Sequence, residues 1–87
     1  MPYIVGRATI QDYAAWKRTL DQGAAARQAA GAKSLQIFRS PEVPNEVVVL
    51  TEFDTMDHAR AYQQAAHLRE AVQRSGARDR IVYYPEE

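Results

Sequence analysis

The chain of 87 residues contains no cysteine, so it has no disulfide, no thiolate metal site and no cysteine nucleophile. Neither sign of charge is in excess, because 11 Lys and Arg stand against 11 Asp and Glu. This balance supplies no general attraction to nucleic acid or to an anionic membrane surface. No apolar run approaches the roughly 20 residues that cross a bilayer, and the first residues lack the basic segment and cleavage site of a signal peptide. We therefore expect a cytoplasmic protein that binds neither nucleic acid nor membrane.

The length predicts a single domain over residues 1–87. A domain of this size buries only about 60% of the surface that its unfolded chain exposes. Because disulfides are absent, oligomerisation is the first candidate for additional stabilisation.

Alanine and the larger apolar side chains are segregated along the chain. The alanines fall mostly in residues 14–32 and 59–71, and alanine has the highest helix propensity, whereas β-branched residues form short runs elsewhere. The order is β-α-β-β-α-β, with elements predicted at residues 3–10, 13–30, 33–40, 46–53, 56–75 and 79–84. This order is typical of the ferredoxin-like α+β fold, a four-stranded antiparallel sheet with two helices on one face.

Side chains at the ends of the predicted helices support these boundaries. Asp12 is a suitable N-cap for the first helix and Asp54 or Thr55 for the second, and Gly31 and Gly76 are suitable terminating glycines. In the second helix the apolar period breaks near residues 66–67, which predicts a kink or two helical pieces.

The first helix has one face that we expect to point toward the sheet. Tyr13, Trp16, Leu20, Ala24 and Arg27 recur along it at steps of three and four residues.

The third strand is apolar on both of its faces. Val47 and Val49 alternate with Val48 and Leu50, and the last strand repeats the pattern over residues 81–84. An uncovered apolar sheet face of several hundred Å² is rare in soluble monomers. We therefore expect a homodimer whose two sheets pack face to face with the helices outside; the alternative is a mildly apolar, solvated face.

With this pattern assembled, the sequence resembles the dimeric α/β-barrel superfamily and, within it, the antibiotic biosynthesis monooxygenase-type proteins, some of which are described as cyclases. The segments that carry the resemblance are residues 1–5, Asp12-Tyr13, Trp16-Lys17, residues 27–32, Phe38-Arg39, residues 44–47, residues 52–54, residues 68–71 and Gly76.

The resemblance implies a homodimer with a small-molecule pocket between the sheet and the helices of each subunit. Members include cofactor-independent oxygenases of polycyclic phenols, lactone isomerases and haem-degrading oxygenases. The haem-degrading branch relies on an Asn, a Trp and a His, whereas here the one Asn, Asn45, lies in the predicted hairpin loop and the one Trp, Trp16, in the first helix. These departures argue against haem degradation.

No catalytic or metal-binding motif is present. His58 and His67 are nine residues apart and do not share a helical turn, and the four glycines form no phosphate-binding loop. His67 is the candidate general base because it lies at the predicted phase break and because histidine ordinarily titrates near neutrality. A solvated or capping histidine is the alternative, and His58 is expected at the surface.

Three aromatic side chains on inward helix faces are candidate substrate-binding residues. Trp16, Tyr13 and Tyr62 could hold a flat ring within an apolar wall that has few polar groups. Core packing is the alternative for each of them.

Two charged residues interrupt otherwise apolar strands. The first and third strands of a ferredoxin-like sheet are neighbours, so Arg7 and Glu52 are predicted to pair across them. Such a pair could orient a ligand, with Arg7 stabilising a developing oxyanion, or it could be structural. The basic residues near the end of the second helix favour its dipole and are not read as a nucleic-acid site.

The resemblance implies an enzyme that oxygenates or cyclises an aromatic or polyketide-like compound of secondary metabolism, without a metal, a flavin or any other cofactor. A non-catalytic small-molecule-binding or stress-response dimer of the same fold is the alternative.

The two-sided sheet yields a first testable prediction. Sedimentation at micromolar concentration should detect a stable dimer, because a monomer would leave the second apolar face in water. A stable lone subunit at that concentration would contradict the prediction.

Overall fold

The computed structural model describes residues 1–86 and has the predicted element order. Its elements are β1 (Tyr3–Thr9), α1 (Tyr13–Gln22), α2 (Ala24–Ala29), β2 (Ala32–Arg39), β3 (Glu46–Phe53), α3 (Met56–Gln64), α4 (Ala66–Ser75) and β4 (Arg78–Tyr83). The strands form one antiparallel sheet in the order β2-β3-β1-β4, which is the ferredoxin-like arrangement. Among the described residues, no helix combines the length and the hydropathy of a membrane span.

Hydrogen bonds confirm Asp12 as the N-cap of α1 and show that Thr55, of the two candidates Asp54 and Thr55, is the N-cap of α3. The Asp12 carboxylate accepts from the backbone N–H of Ala15 at 3.2 Å, and the Thr55 hydroxyl accepts from the backbone N–H of His58 at 3.1 Å. Each bond satisfies a donor that the first turn of a helix cannot pair within itself.

The prediction of one continuous first helix is wrong, because the helix is broken at Gly23. Glycine has low helix propensity, and here its N–H bonds the Leu20 carbonyl at 3.1 Å. The guanidinium of Arg27 donates to that same carbonyl at 3.0 Å. The Arg27 side chain is therefore hydrogen-bonded to the end of α1.

The predicted interruption of the second helix is confirmed one residue earlier, at Ala65. Its ψ of 139° is extended, so α3 ends and α4 starts in a new direction. His67 consequently lies in the first turn of α4.

The core lies between the sheet and the helices and consists of two groups of buried side chains. The first contains Ile4, Phe53, Ala59 and Tyr62, and the second contains Ala8, Ile10, Trp16 and Val47. The strand residues in both groups belong to the sheet face that the helices cover. Val47 and Phe53 share this face, as the alternation in β3 predicted.

The opposite sheet face, which we call the open face, is apolar as predicted. In the register, Val5 lies opposite Leu50 and Tyr83, and Phe38 lies opposite Val48. Phe38 and Tyr83 are each 50% exposed. Large apolar side chains thus face away from the helices along the whole width of the sheet.

The predicted pair between Arg7 and Glu52 is wrong. The register places Arg7 opposite Val48 and Glu52 opposite Tyr3, so the two side chains are far apart along the strands. Arg7 Nε instead contacts Glu46 Oε1 at 3.3 Å on the open face. Both groups are substantially solvated, and such ion pairs contribute little to stability.

A tight junction joins α2 and β2 to the start of α3. Gly31 has a φ of +107°, and a Cβ built on it would lie 2.4 Å from Asp54 Oδ1. Asp54 Oδ1 already accepts from the backbone N–H of Thr55 at 2.7 Å and contacts His58 Nδ1 at 2.8 Å. The hydrogen bond from His58 lowers the pKa of Asp54, so its carboxylate is ionised at neutral pH.

We expect Gly31→Ala to lower the free energy of unfolding by about 1–3 kcal/mol. The alanine would have to hold a backbone conformation that L-residues rarely adopt and would displace the Asp54 carboxylate. Urea denaturation measures the change.

Gly76→Ala is the matched control, because Gly76 also has a positive φ, +75°, but a Cβ there meets nothing within 4 Å. We expect a loss of only about 1 kcal/mol. Equal losses in the two variants would show that the contact with Asp54 has no effect.

Candidate functional site

A cavity of about 110 Å³ lies between the sheet and the helices. Most of its wall is apolar and comes from β1, β3 and α4. Representative lining residues are Ile4, Ala8, Val47, Val49, Leu68 and Val72. Small-molecule sites are typically apolar concavities with a few placed polar groups, and this cavity has that character.

The space exists because β1 carries small residues on its helix-facing side. Gly6 lies between Ile4 and Ala8 on that face, and a Cβ added to Gly6 would meet no atom within 4 Å. Gly6 has no positive φ, so neither a tight contact nor the backbone requires glycine there. The missing side chain leaves the gap above the middle of the sheet.

Two aromatic residues predicted to bind substrate border this cavity. Trp16 is 7% exposed and Tyr62 is 8% exposed, and both line the wall. Tyr62 packs against the ring of Phe53 at a centroid distance of 5.7 Å, which fixes its position from below.

His67 borders a second cavity, of about 80 Å³, that adjoins the first. The two cavities share Trp16 and Tyr62 in their walls. The imidazole of His67 is edge-on to the Tyr62 ring at 5.8 Å and is largely exposed. His67 therefore lies at the rim of the cavities, and the Tyr62 ring separates it from the interior.

The other three predicted site residues lie elsewhere. The ring centroids of Tyr13 and Trp16 are 5.7 Å apart, and the Arg39 guanidinium carbon lies 4.0 Å from the Tyr13 centroid. Tyr13 borders a surface groove instead of the cavity. Glu52 lies on the open face, where it accepts from the Ser34 hydroxyl at 3.2 Å. Arg7 borders the cavity through β1, but its side chain points to the open face.

Sequence reasoning missed two cations that border the cavity, Arg27 and Arg80. Arg27 is half-buried, and its position on the inward stripe of the first helix was a signal in the sequence. Arg80 follows Asp79, which has a φ of +54° at a β-bulge between β1 and β4. The Arg80 guanidinium donates to Gln63 Oε1 at 2.9 Å. The Arg80 residue is exposed at the surface; partial desolvation of its guanidinium lowers the pKa, although arginine remains protonated in proteins.

Within residues 1–86, no group of three or more His, Cys, Asp or Glu side chains is arranged to hold a metal ion. The arrangement offers instead an aromatic wall, one histidine at the rim and two guanidinium groups. Such a site can hold a flat ring and can exchange a proton with it.

The chain matches one protein-family model. The family model described as antibiotic biosynthesis monooxygenase matches residues 9–74. No curated protein sequence matches the chain.

Several solved structures have the same fold. A protein from Caulobacter crescentus, provisionally named an antibiotic biosynthesis monooxygenase, superposes with a TM-score of 0.77 at 18% identity, over 99% of this chain and 88% of that one. A Bordetella bronchiseptica protein with the same provisional name gives 0.75 at 18% identity, over 100% and 98%. SnoaB from Streptomyces nogalater, a cofactor-independent oxygenase, gives 0.75 at 13% identity, over 99% and 93%. At these identities the likeness establishes the fold alone.

The gap above Gly6 yields a prediction. Gly6→Val should raise the free energy of unfolding by about 0.5–1 kcal/mol, because glycine is unfavourable inside a strand. It should also abolish binding of phenol, because the valine side chain occupies the space for a ring. Chemical denaturation measures the first effect, and the NMR signal of the Trp16 indole N–H during a phenol titration measures the second.

Gly6→Ala is the graded control and should weaken phenol binding less than Gly6→Val does. Undiminished phenol binding by Gly6→Val would show that the ring does not occupy the space above Gly6.

Proposed function

Because the chain belongs to the antibiotic biosynthesis monooxygenase family, we propose that it is an enzyme that oxygenates or cyclises an aromatic or polyketide-like compound without a cofactor. The reaction takes place in the cavity between the sheet and the helices. The observation that carries the proposal is the apolar cavity walled by the buried rings of Trp16 and Tyr62, with the imidazole of His67 at its rim.

The cavity can bind the ring of such a substrate. A cavity of about 150 Å³ in another protein accepts benzene, so the smaller cavity of about 110 Å³ has room for at most one ring. A second ring would extend into the adjoining space beside His67. Trp16 and Tyr62 then hold the substrate flat, whereas Tyr13 acts through its contact with Trp16.

In the oxygenation, His67 removes the proton of a phenolic hydroxyl at the mouth of the cavity. The phenolate, which is electron-rich, reduces dioxygen and forms a carbon-bound hydroperoxide. Loss of water leaves a second ring carbonyl, so that one phenol and one O₂ give one quinone and one water. The substrate supplies the electrons, and the protein supplies orientation and the proton transfer. Arg7 and Glu52 have no part in this scheme, because both side chains lie on the open face.

We also propose that the enzyme is a homodimer whose subunits meet at the open face. The exposed side chains of Phe38, Ile81 and Tyr83 support this arrangement. Burial of such a surface contributes roughly 25 cal/mol per Å² of apolar area. The helices, and with them the cavities, would lie on the outside of the pair.

A non-catalytic, ligand-binding dimer is the second candidate. The observation that favours it is the absence of Asp and Glu from the cavity wall of the described chain, together with the exposure of His67. In that case the cavity would bind an aromatic compound, for example in a stress response, and release it unchanged.

Replacement of His67 separates the two functions. His67→Gln should lower kcat for a phenolic substrate by about 100-fold, because the variant cannot accept the proton. Oxygen uptake with a panel of mono- and bicyclic phenols, in the presence of a metal chelator, measures the rate.

His58→Gln is the matched control, since His58 is also exposed and lies in the other half of the same helical layer. It should leave kcat unchanged. An undiminished rate for His67→Gln would contradict its role as the base. Binding of the phenols by the wild-type protein without oxygen uptake would favour the non-catalytic function.

A further inference from the structure

Two arginines, the half-buried Arg27 and the exposed Arg80, line the apolar cavity, and no Asp or Glu of the described residues lines it with them. Arg27 reaches it from α2 and Arg80 from the edge strand β4. The third arginine at this cavity, Arg7, is paired with Glu46 on the open face. The cavity therefore has an excess of positive charge, although the whole chain has none.

The partners of Arg27 and Arg80 are neutral. Arg27 donates to the Leu20 carbonyl at 3.0 Å, and Arg80 donates to the Gln63 amide oxygen at 2.9 Å. A guanidinium has five N–H donors, so each group keeps donors for a further acceptor. Neither arginine forms an ion pair with a side chain in residues 1–86.

The local backbone directs both cations to this place. At the break, the Leu20 carbonyl accepts from both the Gly23 N–H and the Arg27 guanidinium, and the bulge at Asp79 immediately precedes Arg80. Bulges frequently occur beside functional sites, where they re-aim a side chain. Placing cations beside an apolar wall is unfavourable unless an anion accompanies them.

We propose that the cavity selects small aromatic carboxylates, with the ring against Trp16 and Tyr62 and the carboxylate on Arg80 and Arg27. The planar fork of a guanidinium matches a carboxylate in a bidentate pair. A volume of about 110 Å³ admits at most one ring, so the carboxylate would lie at the edge of the cavity, beside the two arginines. This inference rests on the proposed function in one respect, that the cavity is the substrate site. It adds that the substrate is an anion.

The test compares three probes of similar size at neutral pH: benzoate, benzyl alcohol and benzylammonium. Trp16 is the one tryptophan of the chain and borders the cavity, so its indole N–H gives a single NMR signal that reports binding there. Benzoate should bind roughly ten- to a hundredfold more tightly than benzyl alcohol, the gain expected from a charge-assisted hydrogen bond. Benzylammonium should bind most weakly, because like charges repel.

Arg80→Met retains most of the apolar stem and removes the charge, so it should reduce the preference for benzoate over benzyl alcohol by about tenfold. Arg69→Met is the matched control, since Arg69 is exposed on α4 and borders none of the cavities described above. It changes the net charge equally and should keep the preference. Arg80→Lys keeps the charge but lacks the planar guanidinium, so it should retain part of the preference for benzoate. This variant also keeps the test valid if Arg80→Met fails to fold.

Equal binding of benzoate and benzyl alcohol would overturn the anion inference and leave the cavity as the proposed site. Retention of the full preference in Arg80→Met would overturn the assignment to Arg80. If no probe moved the Trp16 signal, the selection of aromatic carboxylates would be overturned as well, and continued oxygen uptake with phenols would show that the catalytic proposal survives separately.

Discussion

A four-stranded sheet with apolar side chains on both faces determines most of this structure. The helices cover one face, where Phe53 and Val47 are almost completely buried, and they leave the other face open. The covered face is also incompletely filled, because Gly6 contributes no side chain at its centre. The same sheet thus presents an apolar surface suited to another subunit and an internal gap suited to a ligand. Since the two lie on opposite faces, an interface on one need not obstruct the other.

The breaks in the two helical layers position the polar groups around that gap. At the break, the Leu20 carbonyl accepts from the Gly23 N–H and also from the guanidinium of Arg27, which it holds against the end of α1. The break at Ala65 similarly places His67 at the start of α4, with its ring against Tyr62. Two helix breaks, one at a glycine and one at a residue with extended backbone, thus bring a histidine and an arginine to an otherwise apolar cavity.

Local sequence patterns predicted the features that depend on neighbouring residues. Strand order, the two faces of β3 and the caps at Asp12 and Thr55 follow from periodicity and from short-range hydrogen bonds. The pairing of Arg7 with Glu52 failed because strand register depends on contacts across the sheet, and the sequence between β1 and β3 does not specify it. The role of Arg80 was missed for a related reason. A bulge at Asp79 cannot be recognised from a run of alternating charges, and the surrounding arginines resemble an ordinary helix end.

The site has two features that disfavour folding and that the structure does not otherwise compensate. Glycine in the middle of a strand loses more conformational entropy than any other residue and leaves space unfilled. The half-buried Arg27 loses part of its hydration beside an apolar wall without an ion-pair partner among the described residues. A domain of this size has little stability to spare, and a larger residue at position 6 would fit without strain on the backbone. Both features are explained together by a ligand whose ring fills the gap and whose charge neutralises Arg27 and Arg80. The fold is shared with proteins at 13–18% identity, and a shared fold does not determine what this chain binds, so the proposed ligand is argued from these few residues.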